Sequence, residues 1–157
     1  MMPGFKLTKD MLWLGLIPLS LWFISHYQFA WNKTNSLPQK LFVIKTGALP
    51  AKNDYVLFYA PPTSTLKQAD TIIKKVIGVC GNIVTKEEQV FYIDGKKIAV
   101  AKTHSLKGRP LQTSTVGMIP KGKYFVWTPH IDSYDSRYDE IGLIDERTII
   151  GVAYPLF

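Results

Sequence analysis

At 157 residues the chain has room for one compact domain and an extra segment, not for two full domains. It carries a formal net charge of +7, and the positive residues are scattered. No basic stripe interleaves with aromatics, which argues against a nucleic-acid partner. The single cysteine, Cys80, excludes an intrachain disulfide.

The first predicted element is a membrane anchor. From Met11 to Asn32 there are 22 residues without Asp, Glu, Lys or Arg. At ~1.5 Å per residue a helix of that length crosses the roughly 30 Å hydrocarbon core of a bilayer. Trp13, Trp22, Tyr27 and Trp31 supply rings suited to the headgroup level. Lys6 and Lys9 precede the run and should stay in the cytoplasm, which sends the rest of the chain outside. A cleaved secretory signal is the alternative, but Gln28-Phe29-Ala30 gives no A-x-A-like exit site. A buried soluble helix is disfavoured, because the segment is apolar on all sides. The expected organisation is a cytoplasmic tail (1–10), a transmembrane anchor (11–32) and an outer, periplasmic domain (33–157).

Beyond the anchor the chain reads as β. Leu41–Lys45, Tyr55–Tyr59, Thr71–Val79, Asn82–Thr85, Val90–Ile93, Lys96–Val100, Tyr124–Thr128 and Ile149–Tyr154 are rich in Val, Ile, Phe and Tyr. Asp94-Gly95 fits a type I′ hairpin turn. Ala60–Ala69 and Thr103–Gly117 read as polar loops. Short strands at this spacing predict a mainly β protein, a small antiparallel barrel or sandwich behind one N-terminal transmembrane helix.

Three short stretches carry the chemistry. Ser36 follows the anchor in Thr34-Asn35-Ser36-Leu37-Pro38. A serine hydroxyl needs a base within hydrogen-bond reach to act as a nucleophile. Lys74 and Lys75 sit inside the apolar run Ile72–Gly78, where desolvation lowers a lysine pKa. Strand alternation turns one of them inward if the other faces solvent, and the pattern alone leaves open whether either is buried. Asp132–Arg137 is a polar turn able to position such an amine.

Other constellations have plainer explanations. Glu87-Glu88 are adjacent and read as a solvated turn. The late acidic residues form no Asp-x-Asp-x-Asp-Gly calcium loop, and His26, His104 and His130 lie too far apart for a zinc motif. No glycine-rich phosphate loop occurs. No metal or cofactor is expected, and Cys80 is expected to pack as a small apolar residue.

Ser36-Leu37-Pro38, Ile73–Asn82, Pro120–Val126 and Ser133–Tyr138 resemble, in order, the successive boxes of the type I signal peptidase family. The short Ser-x-Pro box, the Pro129-His130 lead-in and the ending Ile149–Leu156 are closest to its conjugative-transfer, TraF-like branch. The resemblance runs from about residue 31 to 157. It implies Ser36 as nucleophile and Lys74 as general base. Thr34 falls on an oxyanion-hole hydroxyl, Ser133 on a hydroxyl that orients the lysine, and Asp135 with Arg137 on a pair bracing the site. Lys40 stands where that branch has Gly, Cys80 where the family has Pro, and Asn82 where it has Asp.

The expected function is a serine endopeptidase at the outer face of a bacterial inner membrane. It would remove leader peptides from exported proteins or pilins, bound as extended strands, with cyclisation by the subunit's own amine as a possible outcome in the conjugative branch. Inner-membrane lipid is the other expected partner. Two alternatives stand beside this reading: a non-enzymatic, membrane-anchored assembly factor of a secretion or pilus apparatus, and a general secretory signal peptidase.

Overall fold

The computed structural model describes residues 9–63 and 70–157. Most of the expected tail and residues 64–69 of the first polar loop lie outside the described residues. Helix α1 (Lys9–His26) stops six residues short of the expected anchor's end. Tyr27, Phe29 and Trp31 are strand formers. Strand β1 (Tyr27–Trp31) gains a backbone ladder with β2 (Leu41–Thr46), running from Tyr27↔Lys45 to Trp31↔Leu41. A helix continued to Asn32 would forgo that ladder. The segment 11–32 is therefore corrected to a helix followed by a strand. Among the described residues no helix is long and apolar enough to cross a membrane. Leu19, Leu21, Trp22 and Ile24 on α1 are nevertheless exposed apolar side chains.

The remaining strands are β3 (Tyr55–Tyr59), β4 (Thr71–Gly78), β5 (Ile83–Glu87), β6 (Val90–Ile93), β7 (Lys96–Val100), β8 (Gly117–Met118), β9 (Lys123–Trp127), β10 (Ile144–Asp145) and β11 (Ile149–Pro155). They form two antiparallel sheets, one of seven strands in the order β1-β2-β11-β3-β4-β9-β10 and one of four in the order β7-β6-β5-β8. The expected mainly β, antiparallel architecture is present, but no barrel closes. The large sheet ends at β1 and at β10, and β10 pairs over only two residues, too short a ladder to carry closure.

Asp94 (φ 51°) and Gly95 (φ 75°) make the expected I′ turn between β6 and β7. Gly151 marks a bulge in β11 where a Cβ would stand 2.2 Å from the Lys45 carbonyl oxygen, so only glycine lets β2 and β11 approach. Cys80 is exposed, not packed as expected, because it sits in the turn just beyond β4.

Three apolar clusters hold the sheets. Phe42, Ile44, Leu57, Ile73 and Leu37 form one. Val56, Phe58, Val76, Val126, Ile141 and Ile144 form a second. Ile77, Phe91, Ile93, Ile119 and Phe125 are central to the third. Strand β4 lies between β3 and β9, inside the large sheet, and it contributes to all three clusters. That is the strand carrying both lysines.

Candidate active site

Lys74 is 4% exposed, while Lys75 is half-buried. The register explains the difference. Lys74 pairs with Val56, a member of the Val56–Phe58–Val76 cluster; Lys75 pairs with Tyr55, which packs against the Phe42–Ile44 cluster instead. The two amines therefore leave opposite faces of the sheet. Burial lowers the Lys74 pKa from 10.5 to about 8, against the opposing pull of the Asp135 charge, with Arg137 adding to the lowering. An amine so placed is neutral in about a tenth of molecules at pH 7 and in about half near pH 8, against almost none for an ordinary lysine.

Its direction is set by hydroxyls. Lys74 Nζ donates to Ser133 Oγ at 2.7 Å, and Thr128 Oγ1 donates to the same oxygen at 2.5 Å. Both hydroxyl groups belong to buried residues. With one N–H held by Ser133, rotation of the amine is restricted.

The Ser133–Arg137 turn is itself braced. Arg137 Nε and Nη2 donate to the two carboxylate oxygens of Asp135 at 2.8 and 3.0 Å, a forked pair in which neither residue is more than 2% exposed. Arg137 Nη2 also donates to the Ser133 carbonyl at 2.8 Å and Nη1 to the Val100 carbonyl at 2.7 Å. Ser136 completes the docking, exchanging bonds with the Val126 backbone through its own N–H (3.0 Å) and its Oγ (2.9 Å). The turn is thereby fixed to β9, one strand from Lys74.

Ser36 lies on the loop between β1 and β2. Leu37, 2% exposed, inserts into the Phe42–Ile44 cluster and pins the loop beside it. Ser36 Oγ and Thr34 Oγ1 are 2.8 Å apart. Lys40 Nζ donates to the Thr34 carbonyl at 3.1 Å and to Asn35 Oδ1 at 3.2 Å, so this departure from the branch pattern stitches the loop to itself.

A cavity of about 550 Å³ opens between loop and turn, and Thr34, Ser36, Ile72, Lys74 and Ser133 line it. Asp135 and Arg137 do not reach the cavity; they stand behind Ser133. A second cavity, about 770 Å³, shares Thr34, Asp132 and Ser133 and continues toward His104 and Arg109. Sequence reasoning missed two contributors. Thr128 looked like one more strand-forming residue at the end of β9, and no spacing marks it as a partner of Ser133. Asn32 was absorbed into the apolar run that it ends.

A hydroxyl, a lowered-pKa amine and a second hydroxyl around one cavity make up the groups of a serine/lysine hydrolase. Comparison with known proteins places the chain in a family. The family model described as signal peptidase, peptidase S26, matches residues 9–157, and the chain belongs to that family. It is similar to signal peptidase I V of Bacillus subtilis strain 168, at 33% identity over 111 residues, which is 63% of this chain and 61% of that protein. Signal peptidase IB of Staphylococcus aureus strain Mu50 is 33% identical over 123 residues, 68% of this chain and 60% of that protein. The chain thus spans about three fifths of the length of these curated relatives. A crystal structure of a signal peptidase I from Enterococcus faecalis V583 aligns with a TM-score of 0.42 at 22% identity, over 66% of this chain and 96% of that one.

Proposed function

We propose that this protein is a serine endopeptidase that removes leader peptides from exported proteins through a Ser36/Lys74 dyad. The observation that carries the reading is Lys74, a buried amine with its pKa drawn down to about 8, held by Ser133 on the cavity that Ser36 also lines. Membership in the signal peptidase family supports it.

In this mechanism neutral Lys74 takes the Ser36 hydroxyl proton as Oγ attacks the scissile carbonyl carbon. A C–O bond forms and the carbonyl electron pair moves onto oxygen. The Ser36 backbone N–H and the Thr34 hydroxyl would be the donors to that developing charge, as the family resemblance implies. Collapse breaks the C–N bond, and the Lys74 ammonium returns its proton to the leaving amine. Water then repeats the sequence on the acyl-enzyme and regenerates Ser36. Ser133 directs the amine throughout, and Asp135 with Arg137 keeps Ser133 in place. The substrate would lie extended in the cavity, its alternate side chains entering the pocket.

Attachment to a membrane is part of the proposal. Exposed apolar side chains on α1 continue into Phe29 and Trp31 of β1 and Leu156 and Phe157 at the chain's end, a surface suited to lipid. Through that surface α1 would hold residues 33–157 against the outer side of a bacterial inner membrane. The narrower placement in the conjugative-transfer branch, with pilin subunits as substrates, rests on the Ser36-x-Pro38 box and the closing Ile149–Leu156 segment.

Deleting the gene and finding which exported protein keeps its leader tests the reading and names the substrate. Purified full chain should convert that precursor, and the Ser36→Ala variant should not. Cleavage unaffected by deletion would leave the assembly-factor alternative. Mass spectrometry separates the two outcomes for a pilin, since a cyclic product is lighter than the hydrolysed one by a single water.

A further inference from the structure

Asn32 has no part in the mechanism above, yet its side chain is tied to both sides of the Ser36 loop. It is 7% exposed, at the end of β1. Its Nδ2 donates to the carbonyls of Leu37 at 3.3 Å and Gln39 at 3.1 Å. Its Oδ1 accepts from the Thr34 backbone N–H at 3.1 Å and from the Thr34 hydroxyl at 2.8 Å. The partners fix which way the amide points. Carbonyls only accept and a backbone N–H only donates, so a flipped amide would lose three of these bonds at once.

A proton direction follows from that orientation. Oδ1 can only accept, so the Thr34 hydroxyl hydrogen is committed to Asn32. Thr34 Oγ1 then offers only a lone pair to Ser36 Oγ, 2.8 Å away, and Ser36 must be the donor in that bond.

We infer that Asn32 is a positioning residue for the nucleophile. It ties Thr34, ahead of Ser36, to Leu37 and Gln39 behind it. By holding the Thr34 hydroxyl, it also keeps the Ser36 proton directed at Thr34 in the free enzyme. The inference rests on the proposed Ser36/Lys74 reading. Two rearrangements then belong to the substrate-bound state. The Ser36 hydroxyl turns from Thr34 toward Lys74, and the Thr34 hydroxyl leaves Asn32 before it can donate to an oxyanion. The bond from the Thr34 backbone N–H to Asn32 persists through that rotation, so the loop keeps its shape while the hydroxyl swings.

The test uses purified full chain in detergent micelles with a leader-bearing precursor, its active sites counted with a serine-directed acylating probe. Asn32→Ala should lower kcat per titrated site on the order of 10- to 100-fold, with a much smaller change in KM. Fewer titratable sites, each with wild-type kcat, would mean that Asn32 serves folding alone and would overturn the inference. Asn32→Ser carries the same expectations should the alanine variant fail to fold. On a Thr34→Val background, which removes the hydroxyl and keeps the backbone N–H, the Asn32 substitution should cost distinctly less than it does alone. Fully multiplicative losses would overturn the coupling between the two residues. Thr34→Ser should recover most of what Thr34→Val loses and restore the sensitivity to Asn32. Activity remaining in Ser36→Ala would sink the nucleophile assignment itself; an inactive Ser36→Ala with multiplicative Asn32 and Thr34 losses would remove only this inference.

Discussion

The two halves of the site are built in opposite ways. The Lys74 half is strand and braced turn, with Lys74, Thr128, Ser133, Asp135 and Arg137 all buried. The Ser36 half is a surface loop on which Thr34 and Asn35 are exposed, held by the buried side chains of Asn32 and Leu37. The difference fits the roles proposed for the two groups. A lysine becomes a base only by losing solvent, so its surroundings must be dry and stiff. A nucleophile must meet an incoming chain, so it sits where a substrate can reach it. Damage to the first half should therefore show in pKa and stability, and damage to the second in turnover.

The largest expected effects come from removing either reacting group. Ser36→Ala and Lys74→Met should each abolish leader removal in an assay with purified enzyme and precursor, and Lys74→Arg should also fail because guanidinium stays protonated. The comparison sharpens in the melting curves of the same variants. Below about pH 8 the folded state holds a charged, buried Lys74, whereas the unfolded chain carries an ordinary lysine with a pKa of 10.5. Between about pH 8 and 10.5 the unfolded chain binds more protons, so stability contributed by this group rises with pH across that window and is lowest beneath it. Lys74→Met should raise stability near neutral pH by roughly 1–3 kcal/mol, while Ser36→Ala should leave it nearly unchanged. A Lys74→Met variant that melts well below the parent would contradict the picture of a base held against its own desolvation.

Next in size is Arg137→Ala. It strips a buried carboxylate of its partner and releases the Ser133 carbonyl, which should cost about 3–5 kcal/mol in denaturant unfolding and most of the activity. A surface variant such as Arg147→Ala, whose guanidinium is exposed, should change little by comparison. The pH dependence follows: kcat/KM should climb as pH passes through about 8, because only neutral Lys74 accepts the serine proton. A profile flat across that range would point to another base. Smallest of all is Lys75→Met, which should keep substantial activity, since its amine leaves the opposite face of the sheet.

Much of this was legible in the sequence. Strands β2, β3, β4, β5, β6, β7, β9 and β11 were marked by runs of Val, Ile, Phe and Tyr, and the structure places them within a residue or two of the expected ends. The I′ turn at Asp94-Gly95 was visible as a dipeptide. Strand β1 was not, because an apolar aromatic run beside a helix reads equally as more helix, and only the partner strand, ten or more residues away, decides. Strands β8 and β10, two residues each, carry no periodicity to detect. Ser36, Lys74 and Ser133 were legible through their boxes, and the structure brings them to one cavity. Thr128 and Asn32 act through hydrogen bonds whose geometry exists only once the strands are paired. Cys80 was misplaced for a related reason, since an apolar residue at a strand end lies inside or outside according to where the turn begins.

The junction between α1 and β1 has no linker: His26 ends one element and Tyr27 begins the next, with the Phe23 and Tyr27 rings stacked 4.9 Å apart across it. Five extended residues at about 3.3 Å each then set a fixed arm of about 17 Å from the helix end to the nucleophile loop. The molecule thus carries its own ruler. In the proposed membrane-attached state, a precursor's scissile bond would have to meet the Ser36 loop at the distance from α1 that this arm sets.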